Sequence, residues 1–201
     1  MKLHRLATPS LAVALAITLA ACGSSDSPSA NTTPTTQAPG GSTDTAALNA
    51  ADVVFAQGMI AHHQQAIEMA EIALDPNIGA SPEVVDLATR IKGAQDPEVE
   101  LMTAWLTAAG EPVMMDAMEG HDMSSMDGMM TAEQMDAMGA MTGTEFDTMW
   151  LEMMIAHHEG AISQSQTVKA SGSNADVLAL ADQIITAQQA EITEMQALLQ
   201  G

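Results

Sequence analysis

The sequence predicts an all-α fold, an antiparallel four-helix bundle built from two repeated helical hairpins. Two observations carry this. The first is an internal repeat: Asp52-Val-Val-Phe-Ala-Gln-Gly-Met-Ile-Ala-His-His-Gln-Gln-Ala-Ile67 matches Asp147-Thr-Met-Trp-Leu-Glu-Met-Met-Ile-Ala-His-His-Glu-Gly-Ala-Ile162 at an offset of 95 residues. A second stretch repeats at an offset of 93, pairing Val84, Leu87, Ala88, Ile91, Gln95, Glu98, Val99 and Met102 with Val177, Leu180, Ala181, Ile184, Gln188, Glu191, Ile192 and Met195. Each half therefore reads as two helices, and a repeat found first constrains every later assignment. The second observation is periodicity. Apolar residues recur at spacings of three and four, and no segment sustains the alternation of a strand.

The helix boundaries follow from local chemistry. In the first helix Ala56, Met59, Ile60, His63, Ile67, Ala70 and Leu74 form one stripe. Asn49 is placed to cap it, Asp52 lies in the first turn where the dipole favours negative charge, and Asp75-Pro76-Asn77 ends it. Ser81-Pro82-Glu83 is a cap followed by proline at the first helical position. That second helix should run to about Ala109, interrupted at Gly93 and Pro97, and stop at Gly110-Glu111-Pro112. Thr144 to Asp147 should cap the third helix, ending near Ser171-Gly172. Asn174 should cap the fourth, from about Ala175 to Leu199. The halves are joined by one long connection, 111–143.

The N-terminus reads as an export signal. Lys2 and Arg5 precede an apolar run, Leu11 to Ala21, too short for the roughly 20 residues a bilayer span needs. Leu19-Ala20-Ala21-Cys22 then has the pattern of a lipoprotein cleavage site. Residues 1–21 are expected to be a signal peptide and Cys22 the lipidated residue, placing the domain outside the cytoplasm, on the cell membrane's outer face or in a periplasm. Cys22 is the one cysteine, so no internal disulfide can form. Residues 22–47 lack large apolar side chains and read as a flexible linker, leaving 48–201 as the bundle domain.

Charge excludes one class of partner. Beyond Cys22 only Arg90, Lys92 and Lys169 are basic, against all 26 acidic residues. Such a surface repels nucleic acid and anionic headgroups and concentrates cations. Methionine is the compositional anomaly: the chain has 18, most of them between Met114 and Met154, while aromatics are few.

His62 and His63 are adjacent, and Met59 lies three residues before one and four before the other, sharing a face with both. Met69 follows two turns after His62. Met154 stands in the same relation to His157 and His158, with Met153 four before His157. If the odd-numbered helices face each other, four imidazoles and several thioethers converge. Methionine on an apolar stripe often serves only as core, but two adjacent histidines, placed twice in equivalent context, bring polar atoms that need partners when buried. Thioethers favour monovalent copper, and imidazole also accepts divalent copper. No thiolate zinc site is available. The Glu-x-x-His of a ferritin-type di-iron centre is missing, because no acidic residue stands three before a histidine in these helices. Silver would satisfy the same soft ligands.

The connection adds Met114, Met115, Met118, His121, Met123, Met126, Met129 and Met130, then Met135, Met138 and Met141 on a short helix that Thr131 and Gln134 could cap reciprocally. So polar a segment gives these thioethers little reason to be core. His121, Met123 and Met126 are the weaker candidate ligands. Oxidant scavenging by exposed methionine is a competing use.

The paired motif resembles the domain-of-unknown-function-305 family, a ferritin-like four-helix group of exported bacterial proteins. The resemblance spans about residues 48–201 and rests on Met59-Ile60-x-His62-His63-x-x-Ala66-Ile67-x-Met69-Ala70 and its later counterpart. It implies copper handling through Met59, His62, His63, Met69, Met154, His157 and His158. One departure is Gln164, which stands where the second motif should repeat Met69; Met153, opposite Gly58, could compensate. At this point a copper buffer or carrier, a copper-dependent redox enzyme and a metal-free anchored scaffold all remain open. No nucleophile–base pair, phosphate loop or cofactor fingerprint favours the enzyme.

Overall fold

A computed structural model describes residues 47–114 and 126–201. The signal peptide, Cys22, nearly all of the linker, His121 and Met123 lie outside the described residues. Five helices run in order: α1 (Ala50–Leu74), α2 (Pro82–Ala109), α3 (Ala132–Gly139), α4 (Gly143–Ser171) and α5 (Ala175–Leu198). Among the described residues there is no strand.

The caps explain most of the boundaries. Asn49 and Asp52 form a reciprocal capping box at α1, and Ser81 caps α2 with proline just inside. Gly110 closes α2 in the left-handed region at φ 73°, which only glycine adopts without cost. Thr131 and Gln134 form the expected box at α3, and Asn174 caps α5. Two expectations are corrected. α4 begins at Gly143 behind Thr142, whose side chain makes no capping bond, rather than at Thr144 to Asp147. α2 is one continuous helix through Pro97; proline removes one amide bond there, and packing against α1 holds the rest.

Asp147 is not free to cap α4, because its carboxylate accepts the Ser81 amide at 3.1 and 3.2 Å. Asp52, its counterpart in the repeat, does the same job in the other direction. It is fully buried and accepts the amides of Ser173 (3.1 Å) and Asn174 (3.1 Å) as well as that of Asn49 (2.9 Å). An aspartate near the start of each central helix thus secures the loop entering the outer helix of the opposite hairpin.

α1 pairs with α2, α4 with α5, and the hairpins join through α1 and α4. Two apolar clusters make the core. One gathers Ala66, Met69 and Ala70 of α1 with Phe146, Trp150 and Met154 of α4, Leu87 and Ile91 of α2, and Ile192 and Met195 of α5. The other gathers Phe55, Met59 and Ile60 of α1 with Ala161 and Val168 of α4, Met102 and Leu106 of α2, and Leu180 and Ile184 of α5. The first half of α1 thus packs with the second half of α4, which makes these helices antiparallel. Burial of α1 is nearly circumferential, since every residue from Phe55 to His63 is buried. Ile67 and Leu74, expected on the core stripe, are only partly buried, because the partners of α1 lie on several sides.

The Met-rich connection corrects a larger expectation. Met130, Met135 and Met138 belong to the first apolar cluster, and Met141 packs against it. Gln65 clamps the Met130 main chain at both ends, donating to its carbonyl (2.9 Å) and accepting its amide (2.7 Å). Just before it, Gly128 (φ 81°) rests on Gly160 of α4. A Cβ at Gly160 would lie 2.0 Å from the Asp127 carbonyl oxygen, so only glycine fits. A stretch read as too polar for core therefore supplies core through its described residues, Met130, Met135 and Met138.

Candidate metal centre

Between the two apolar clusters lies a layer of polar residues, two from each long helix: His62 and His63, Gln95 and Glu98, His157 and His158, Gln188 and Glu191. The four histidines are at most 1 % exposed, and Gln95 and Gln188 are also buried. The layer marks where α1 and α4 cross. The His62 and His157 rings meet there with centroids 3.8 Å apart and planes inclined at 44°. The His157 and His158 centroids are 6.5 Å apart. α1 and α4 thus face each other at their paired histidines, the condition on which the expected site depends.

The outer rings have carboxylate partners. His63 Nε2 lies 2.7 Å from Glu98 Oε2 and His158 Nε2 lies 2.8 Å from Glu191 Oε2. The remaining ring nitrogens, both of His62, both of His157, and Nδ1 of His63 and of His158, are buried without a side-chain partner, although the Asp127 main chain approaches His62 and the His62 main chain approaches His157. Burial holds His62 neutral, lowering its pKa from 6.5 to about 3, with His63 and His158 adding to the shift and the Asp127 main chain opposing it. His157 is pushed well below 6.5, first by burial and then by His62, His158 and His63. At neutral pH His62 and His157 are therefore uncharged, each with one ring lone pair available, the form in which imidazole binds a metal.

Met59, Met69 and Met154 are completely buried. Met69 and Met154 share the first apolar cluster, and Met59 lies in the second. Met153 is half-buried against the first cluster, and Met126 is half-buried in the turn preceding the Met130 clamp. Gln164, standing in for a second Met69, has a buried amide nitrogen without a partner. Among the described residues, no group of three His, Cys, Asp or Glu side chains is arranged to hold an ion unaided. A three-donor site in this centre would draw on sulfur as well as nitrogen.

Glu98 and Glu191 escaped the sequence reading as functional residues. Their signal was present: they pair at the 93-residue offset of the outer helices while the histidines pair at 95. An acidic residue in so acidic a chain carries little information until its burial and partner are known.

No curated protein matches the sequence. Solved structures do. A DUF305 protein of Streptomyces coelicolor matches at 29 % identity and a TM-score of 0.68, over 74 % of this chain and 91 % of that one. A DUF305 fragment from Deinococcus radiodurans matches at 27 % identity and 0.67, over 76 % and 97 %. CopM in its Cu(II)-bound form matches at 33 % identity and 0.61, over 74 % and 95 %, and CopM has also been solved with Cu(I), with silver and in the apo form. The domain of unknown function DUF305 matches residues 52–199, so the chain belongs to the DUF305 family.

Proposed function

We propose that this chain is an exported copper-binding lipoprotein. It takes up copper, preferentially monovalent, in the polar layer where α1 and α4 cross, and serves copper buffering, transfer or resistance outside the cytoplasm. The observation that carries this reading is the set of buried imidazoles at the α1–α4 crossing whose ring nitrogens, apart from the two that face Glu98 and Glu191, have no side-chain partner. An unsatisfied buried polar atom costs on the order of 1–3 kcal/mol, and a cation accepting several of these lone pairs offsets that cost. His62, His63, His157 and His158 are the proposed nitrogen donors. Met59, Met69 and Met154 are the proposed thioethers, with Met153 and Met126 as outer candidates and His121 and Met123 as further ones on the connection.

Soft sulfur with neutral imidazole favours monovalent copper over zinc or iron, and silver should substitute. The likeness to CopM, whose structures hold Cu(II), Cu(I) and silver, supports the same cargo here. No described helix is long and apolar enough to cross a membrane, and the proposed attachment is the lipid on Cys22. The experiment is metal analysis of the full chain after equilibration with equimolar copper, zinc and iron under reducing conditions. Retention of copper through gel filtration, with zinc and iron at background, supports the reading. Equal retention of zinc, or no retained metal, overturns it.

A further inference from the structure

The two carboxylates beside the outer histidines form a repeated device. His63 and Glu98 come from the first hairpin, His158 and Glu191 from the second, and the contacts agree to within a tenth of an ångström, 2.7 and 2.8 Å. In both, the imidazole is completely buried while the carboxylate keeps an edge to water, 22 % exposed for Glu98 and 15 % for Glu191. In both, Nε2 is the engaged nitrogen and Nδ1 is buried without a partner. A carboxylate only accepts, so a neutral ring facing it must carry its proton on Nε2. The lone pair is then on Nδ1.

We infer that Glu98 and Glu191 are positioning residues that fix the tautomer and orientation of His63 and His158, so that both rings present Nδ1 to the ion. This rests on the copper reading above and specifies its ligand atoms. A carboxylate behind a metal-bound imidazole locks the ring, raises its basicity and spreads the charge of the ion. His62 and His157 have no carboxylate partner and lie against each other with their planes inclined at 44°, so the four rings divide into two that face carboxylates and two that face each other.

The test reads the imidazoles of the full, metal-free chain by long-range ¹H–¹⁵N correlation at neutral pH, and so is separate from any failure to bind copper. His63 and His158 should both show the Nε2–H tautomer. Glu98→Ala and Glu191→Ala should mix the tautomers of His63 and His158 respectively and weaken Cu(I) binding about 10–100-fold each. Glu98→Gln and Glu191→Gln retain an acceptor oxygen and should restore the tautomer and most of the affinity. A proton on Nδ1 of His63 or His158 in the unaltered chain overturns the inference, and needs no variant to fold. Alanine variants that keep both tautomer and affinity overturn it equally.

Discussion

The imidazole of His62 lies against that of His157, one from each repeat, with ring centroids 3.8 Å apart and no side-chain hydrogen bond to any of their four nitrogens. Two neutral rings tolerate this contact, and protonating either would put a charge in a dry interior beside three other histidines.

Burial of these two rings sets the acid sensitivity of the metal-free chain. His62 has its folded pKa lowered to about 3, and that of His157 is well below 6.5, while unfolded histidines titrate near 6.5. The unfolded state therefore binds protons that the native state does not, and stability falls as pH drops below about 6.5. The slope is about 1.4 kcal/mol per pH unit for each ring, and for His62 it levels off near pH 3. Urea unfolding at pH 7 and pH 5, with chelator present, should show this loss. His62→Leu with His157→Leu should flatten it. An unchanged slope in the double variant would mean that other groups govern acid unfolding.

Asp52 should be costly to remove, because its buried carboxylate ties two loops together. Its carboxylate joins a capping box to the Ser173 and Asn174 amides. Asp52→Ala removes the α1 capping box and the carboxylate that the Ser173 and Asn174 amides share, and should cost about 3 kcal/mol by denaturant unfolding. Asp147→Ala, which frees only the Ser81 amide among its loop contacts, should cost about half as much. Equal and small losses would show that the loops hold themselves.

Gly160 tests the seating of the connection. Gly160→Ala places a methyl group against the Asp127 main chain, which has to move. The expected cost is about 1–3 kcal/mol, with faster amide exchange at Gly128 and Met130. Because the Asp127 main chain also approaches His62, the His62 imidazole resonances should shift too. Exchange rates and imidazole shifts matching those of the unaltered chain would exclude a tight Gly128–Gly160 contact.

The long helices and the convergence of the four histidines were legible because a 3.6-residue pattern and a repeat are local signals. Asn49, Ser81 and Asn174 act as caps where their side chains predict. Residues whose roles depend on partners far along the chain were not legible. Asp52 reads as a dipole residue, yet most of its hydrogen bonds cross to Ser173 and Asn174. Glu98 reads as surface charge until α1 presents His63 to it. Met130, Met135 and Met138 read as exposed thioethers because their neighbours are polar, but Gln65 and Gly160 draw that segment onto the core. Deleting residues 114–141 would therefore remove core side chains, contrary to what the composition of the segment suggests.

The central claim is that the paired histidines hold copper. It is tested most directly by anaerobic competition titration of Cu(I) into the unaltered chain and into the variant with His62, His63, His157 and His158 all changed to Ala, with circular dichroism confirming that both are helical. The unaltered chain should bind tightly at pH 7. The variant should lose more than about 100-fold in affinity, beyond the effect of losing one outer-shell partner. It should keep only a weaker fraction on the methionines of the connection, which persists in acid because thioethers do not titrate there. Wild-type affinity and stoichiometry in the four-histidine variant would make the polar layer a packing feature and contradict the account.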